Sequence, residues 1–119
     1  MSSDITGHVQ GDETEYDFAV VDAQGAPEDI TGWAFWFTLK WQKTDADPGV
    51  CQLTSDAGDI VIDIVDQGVG RICFASAHTK TQEPASYFYD FQCRKGPGGK
   101  LETLDRGTFT IEPEITRAA

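Results

Sequence analysis

Apolar and polar residues alternate at period two along most of this chain, and no segment keeps helical spacing for the length of a full helix. The clearest case follows Asp29-Ile30-Thr31-Gly32, where residues 33–41 hold three tryptophans and two phenylalanines. Trp33, Phe35, Phe37, Leu39 and Trp41 share one face, while Ala34, Trp36, Thr38 and Lys40 share the other. The first face is expected to be core. The second is mixed, and Trp36 is its odd member.

The same reading divides the rest of the chain into short strands. Ile5 to Gln10 is the first, and Thr14 to Val21 the second, with Tyr16, Phe18 and Val20 opposite Glu15, Asp17 and Ala19. Val50 to Thr54 follows the aromatic strand. Ile60, Ile62 and Ile64 then make one apolar face, and Val69 to Ala75 returns as the hairpin partner of that strand. Ser76 to Glu83 is the one segment read as a helical turn, capped by Ser76 and ended by Pro84. Tyr87 to Cys93 puts Tyr87, Tyr89, Phe91 and Cys93 on one face. Gly96-Pro97-Gly98-Gly99 marks a hairpin tip, and Leu101 to Glu112 is the last strand, with a break expected at Asp105-Arg106-Gly107. About eight strands at this spacing predict an all-β fold, an immunoglobulin-like antiparallel β-sandwich with one short helical turn near 76–83; a small closed barrel is the alternative. Residues 1–119 read as a single domain, because no linker, repeat or low-complexity segment interrupts them.

Charge changes the picture more than composition does. The formal net charge is -11. Residues 1–66 hold 14 carboxylates against Lys40 and Lys43, and residues 67–119 hold six against seven bases. So acidic a first half excludes direct nucleic-acid binding, which needs clustered cations against phosphate. It suits a solvated surface or a patch facing a basic protein partner. No apolar run is long enough for a membrane helix, and the polar, acidic start, Met1-Ser2-Ser3-Asp4, does not read as a signal peptide, so synthesis in a cytoplasm is expected.

Candidate chemistry is sparse. Cys51, Cys73 and Cys93 form no CxxC pair, lie in strand segments and read as reduced structural thiols. His8 and His78 accompany no nucleophile motif and stand at no zinc-ligand spacing from the cysteines. Paired carboxylates are expected by chance among 20 acidic residues and do not define a glycosidase. Asp45 and Asp47, with Asp56 and Asp59 in the next loop, offer oxygen ligands to calcium but lack the EF-hand spacing, and loop aspartates of this kind serve mainly as turn formers. No catalytic residue, cofactor or metal is expected. Trp36 and Phe88, on the faces opposite the apolar sides of their strands, are the candidates for partner contact, together with Asp45 and Asp47.

A group of patterns carries a family resemblance: Gly11-Asp12 before Tyr16-Asp17-Phe18; Gly25-x-Pro27-x-Asp29-Ile30-Thr31-Gly32-Trp33; the Phe-Trp-Phe-Thr-Leu-Lys run; and Tyr87-Phe88-Tyr89-Asp90-Phe91-Gln92. Over residues 11–112 the chain resembles small virion proteins of tailed bacteriophages and, more distantly, the N-terminal immunoglobulin-like domain of phage upper baseplate proteins. The resemblance implies a non-enzymatic structural protein of the virion, made in the host bacterial cytoplasm and present in multiple copies on a symmetric assembly. Its partners would be the major capsid protein or tail and baseplate subunits. The lone domain suggests capsid decoration, as a cement protein, ahead of a tail or baseplate adaptor. A carbohydrate-binding β-sandwich module is the alternative function.

Overall fold

The computed structural model describes residues 4–46, 49–96 and 98–114. Among the described residues eight strands form two sheets: β1 (Ile5–Val9), β2 (Thr14–Ala19), β3 (Ala34–Lys40), β4 (Cys51–Thr54), β5 (Ile60–Ile64), β6 (Val69–Phe74), β7 (Ala85–Arg94) and β8 (Leu101–Glu112). One sheet has the order β1-β8-β7-β3-β4, the other β2-β6-β5. All strand pairs are antiparallel except β1 with β8, which is parallel. The fold is an all-β sandwich of two sheets, as the alternation predicts.

The core lies between the inner faces. Phe35, Phe37 and Leu39 of β3, Tyr87, Tyr89, Phe91 and Cys93 of β7, and Phe109 and Ile111 of β8 are buried from the larger sheet; Ile60, Ile72 and Phe74 meet them from the smaller one. The rings interlock: Phe37 stacks on Tyr89 at 5.0 Å between centroids, and Phe74 on Phe109 at 5.3 Å. Burying each such side chain stabilises the fold by about 1.5–3 kcal/mol. Gly70 of β6 lets Phe18 of β2 fold over the sheet, since a Cβ there would come within 2.6 Å of Phe18 Cζ and of the Val61 carbonyl oxygen.

The turn into β3 is held by Asp29, whose Oδ1 accepts the Thr31 N–H at 2.9 Å and the Thr31 hydroxyl at 2.5 Å. Those two bonds hold the Asp29 carboxyl below the usual carboxylate range. Gly32 follows at φ +78°, a conformation that favours glycine. The buried Ile30 donates its N–H to the Val65 carbonyl at 3.0 Å, tying this turn to the smaller sheet. The Asp-Ile-Thr-Gly-Trp pattern is therefore a scaffold element.

Several expectations are corrected. Trp41, expected in the core, is 50% exposed and edges against Tyr87, whereas Trp33 packs half-buried against the core on the side expected. Both lie just outside β3 and keep their core-side contacts, but Trp41 is incompletely covered there. Thr38, assigned to the mixed face, is 4% exposed because neighbouring strands cover it on both sides. Ile64 is 49% exposed, because the register of β5 against β6 shifts after Ile62 and the chain turns into a 3₁₀ segment at Val65–Gln67. The last strand runs unbroken through Asp105-Arg106-Gly107; the irregularity is a bulge, with Phe91 opposite Asp105 and Gln92 opposite Thr103. The helical segment is a single turn, α1 (Ser76–Thr79), with Ala75 at the N-cap; the side chain that reaches back is His78, whose Nδ1 accepts the Ala75 N–H at 2.9 Å. Pro97 lies outside the described residues, and Lys95 N–H bonds the Lys100 carbonyl across the β7–β8 hairpin.

Candidate interaction surface

The outer face of the five-stranded sheet is built in rows across β3, β7 and β8. Lys40 stands opposite Phe88 and Phe88 opposite Thr108; Thr38 opposite Asp90 and Asp90 opposite Arg106; Trp36 opposite Gln92 and Gln92 opposite Thr103. Period-two geometry puts all of these on one face. Trp36 and Phe88 thus share a surface, separated by the Thr38–Asp90 row, and both are half-buried. On the β4 side, Gln52 Nε2 donates to Thr38 Oγ1 at 3.1 Å.

A hollow of 520 Å³ opens on this face, lined by Thr38, Lys40, Lys43, Phe88, Asp90 and Arg106 among others. Lys43 comes from the connection after β3, and its Nζ lies 5.0 Å from the centre of the Phe88 ring. A cation over an aromatic face is attractive and holds the lysine stem against the ring. Lys40 and Lys43 are the two bases of residues 1–66, and the fold adds Arg106 from the far side of β7. Asp90 is the one carboxylate lining the hollow, so its side chains carry a formal excess of positive charge in a strongly acidic protein.

Asp45 sits in the same connection as Lys43. Its Oδ2 accepts the Gln42 N–H at 2.9 Å and its own N–H bonds the Gln42 carbonyl, so it closes the turn beside the hollow. Asp47 lies outside the described residues. In the next loop, Asp59 Oδ2 accepts the Thr54 N–H at 3.3 Å. Among the described residues no three His, Cys, Asp or Glu side chains converge as a metal site. One face of Phe88 carries the Lys43 ammonium.

Burial shifts several titratable groups of the interior. Cys51 and Cys93 are unbridged, and burial pushes their thiols up to about 12 and about 11, which keeps them protonated and poorly nucleophilic. His8, read from sequence only as a histidine without a nucleophile, is 2% exposed and packs between Phe74 and Phe109. Burial lowers its pKa, with a smaller opposing effect from Asp12. Neither the cationic cluster nor the buried histidine emerges from the linear pattern. The available signal for the cluster was the pairing of Lys40 and Lys43 in an otherwise acidic half; Arg106 joins them only through strand pairing.

The fold has a counterpart among solved structures. The chain is similar to a structure described as the N-terminal domain of phage TP901-1 ORF48, with a TM-score of 0.56 and 16% sequence identity, covering 91% of this chain and 84% of that one. No protein-family model and no curated protein matches the chain in sequence. At this level of identity the likeness shows a shared fold, an all-β sandwich.

Proposed function

We propose that this chain is a non-enzymatic structural protein of a bacteriophage virion, a sandwich module that docks onto other subunits of the tail or baseplate. The observation that carries this reading is the fold shared with the ORF48 domain over 91% of the chain. The chemistry of the described residues is consistent with it: protonated thiols, a histidine sealed in the core, and a broad polar face with two half-buried aromatics. Recognition would then come from surface complementarity, with a few well-packed anchors surrounded by a polar rim. Capsid decoration has no comparable support, and the baseplate likeness moves the preference from head to tail.

The test is to separate heads from tails in purified particles and locate the protein by mass spectrometry and by labelled antibody. It is expected in the tail fraction. Recovery with heads would move it to decoration, and absence from particles would overturn the structural reading.

A further inference from the structure

Two surfaces of this protein complement one another but cannot meet within one molecule. The first is the cationic hollow, with Lys40, Lys43 and Arg106 around Phe88. It lies at the β3 end marked by Lys40. The second lies where Ile30 leads toward the start of β3, so the two are separated by roughly the length of that strand at about 3.4 Å per residue. Here Val21, Ile64 and Val65 are 53%, 49% and 42% exposed. Val65 accepts the Ile30 N–H, Val20 donates to the Gly68 carbonyl, and Ile64 stands opposite Val69, which pairs with Ala19. Three of the five large apolar residues exposed among the described residues are therefore gathered at one end of the smaller sheet. The segments that form this end, 19–32 and 61–69, contain Asp22, Glu28, Asp29, Asp63 and Asp66 and no Lys or Arg; Asp63 is already paired with Arg71 of β6 at 3.0 Å, so Asp22, Glu28, Asp29 and Asp66 are the carboxylates left for a rim. An apolar centre with a carboxylate rim has the composition of a docking site for a cationic surface with an apolar floor.

We propose that the occupant is a second copy of this chain: the acidic, apolar end of one copy seats on the cationic outer face of the next. The valine and isoleucine side chains meet Phe88 and the aliphatic stems of Lys40 and Lys43, and the carboxylates face the ammonium and guanidinium groups. Lys43 and Arg106 form no ion pair within the chain among the described residues, so their charges are available to a neighbour. Because the two patches are different, the contact is heterologous, and repetition builds a ring or an open row of copies. The repulsion from the net charge of -11 is screened beyond about 8 Å at physiological salt, while the contact charges act at shorter range. The inference does not depend on which virion subunit the module binds, and it can fail while the virion assignment holds.

Sedimentation velocity across a concentration series tests it with one charge-reversed variant of each surface, K43E/R106E and E28K/D66K. Melting curves check that each variant is folded. The wild-type chain is expected to associate with rising concentration, and at least about tenfold more weakly when salt rises from about 50 to about 500 mM. Each variant alone is expected to lose about tenfold or more in self-association, and an equimolar mixture to recover it, since every contact between unlike copies again joins opposite charges. A wild-type chain that remains monomeric throughout the series, or folded variants that associate as wild type does, would overturn the proposal.

Discussion

The imidazole Nδ1 of His8 lies 2.7 Å from the hydroxyl of Tyr16, joining β1 of the five-stranded sheet to β2 of the three-stranded one. The other ring nitrogen, Nε2, is buried without a hydrogen-bond partner. In the imidazolium both ring nitrogens carry hydrogen, so an N–H at Nε2 has no acceptor and a charge stands among Phe74, Phe109 and Tyr16.

This arrangement sets a pH dependence. The folded pKa of His8 is depressed below its unfolded value of 6.5, so between the two values the unfolded chain binds more protons. The contribution of neutral His8 to stability is then complete above pH 6.5 and diminishes as pH falls toward the folded pKa. Denaturant unfolding from pH 8 to pH 5 is expected to show this decline in the wild type and a flatter profile in His8→Phe. An equal slope in both proteins would assign the effect to other groups.

Gly70→Ala should destabilise the sandwich. The added methyl carbon meets Phe18 Cζ and the Val61 carbonyl, both at 2.6 Å, and the carbonyl belongs to a paired strand that cannot move alone. A cost of about 1–3 kcal/mol is expected for this overpacking, measurable as a lower urea midpoint.

The tryptophan and phenylalanine positions of the aromatic segment should separate sharply under truncation. Phe37 is buried and stacks on Tyr89, so Phe37→Ala is expected to cost about 3–5 kcal/mol. Trp41 is half exposed, and Trp41→Ala should cost within about 1 kcal/mol. Comparable losses in urea melts would contradict the placement of Trp41 outside the core.

Thiol titration should report the fold. With a disulfide reagent at pH 8, Cys51 and Cys93 are expected to react slowly in the native protein, since burial holds both thiols protonated and Cys93 is also inaccessible. All three cysteines should react promptly in denaturant. Rapid native labelling of Cys93, located by peptide mapping, would be incompatible with the structure.

The period-two alternation determined the strands and most of their faces, because successive Cβ atoms of an extended chain point to opposite sides whatever lies beyond them. Phe35, Phe37 and Leu39 are core for that reason, and so are Tyr87, Tyr89, Phe91 and Cys93. The turn residues likewise marked where strands end, because the backbone preferences of Asp29 and Gly32 act within a few residues. Where a strand stops, cover is lost: Trp41, one residue past β3, still touches the core residue Tyr87 but is half exposed, and Ile64, beyond a register shift, is 49% exposed. Tertiary structure alone decided which strands are neighbours. It placed Thr38 under cover between β4 and β7, sealed His8 against Tyr16, and brought Arg106 to the surface shared by Lys40 and Lys43. Those groupings join residues far apart in the chain: strand pairing within one sheet is the physical cause for Thr38 and Arg106, and packing of one sheet on the other for His8 and Tyr16, and linear spacing is a guide to neither.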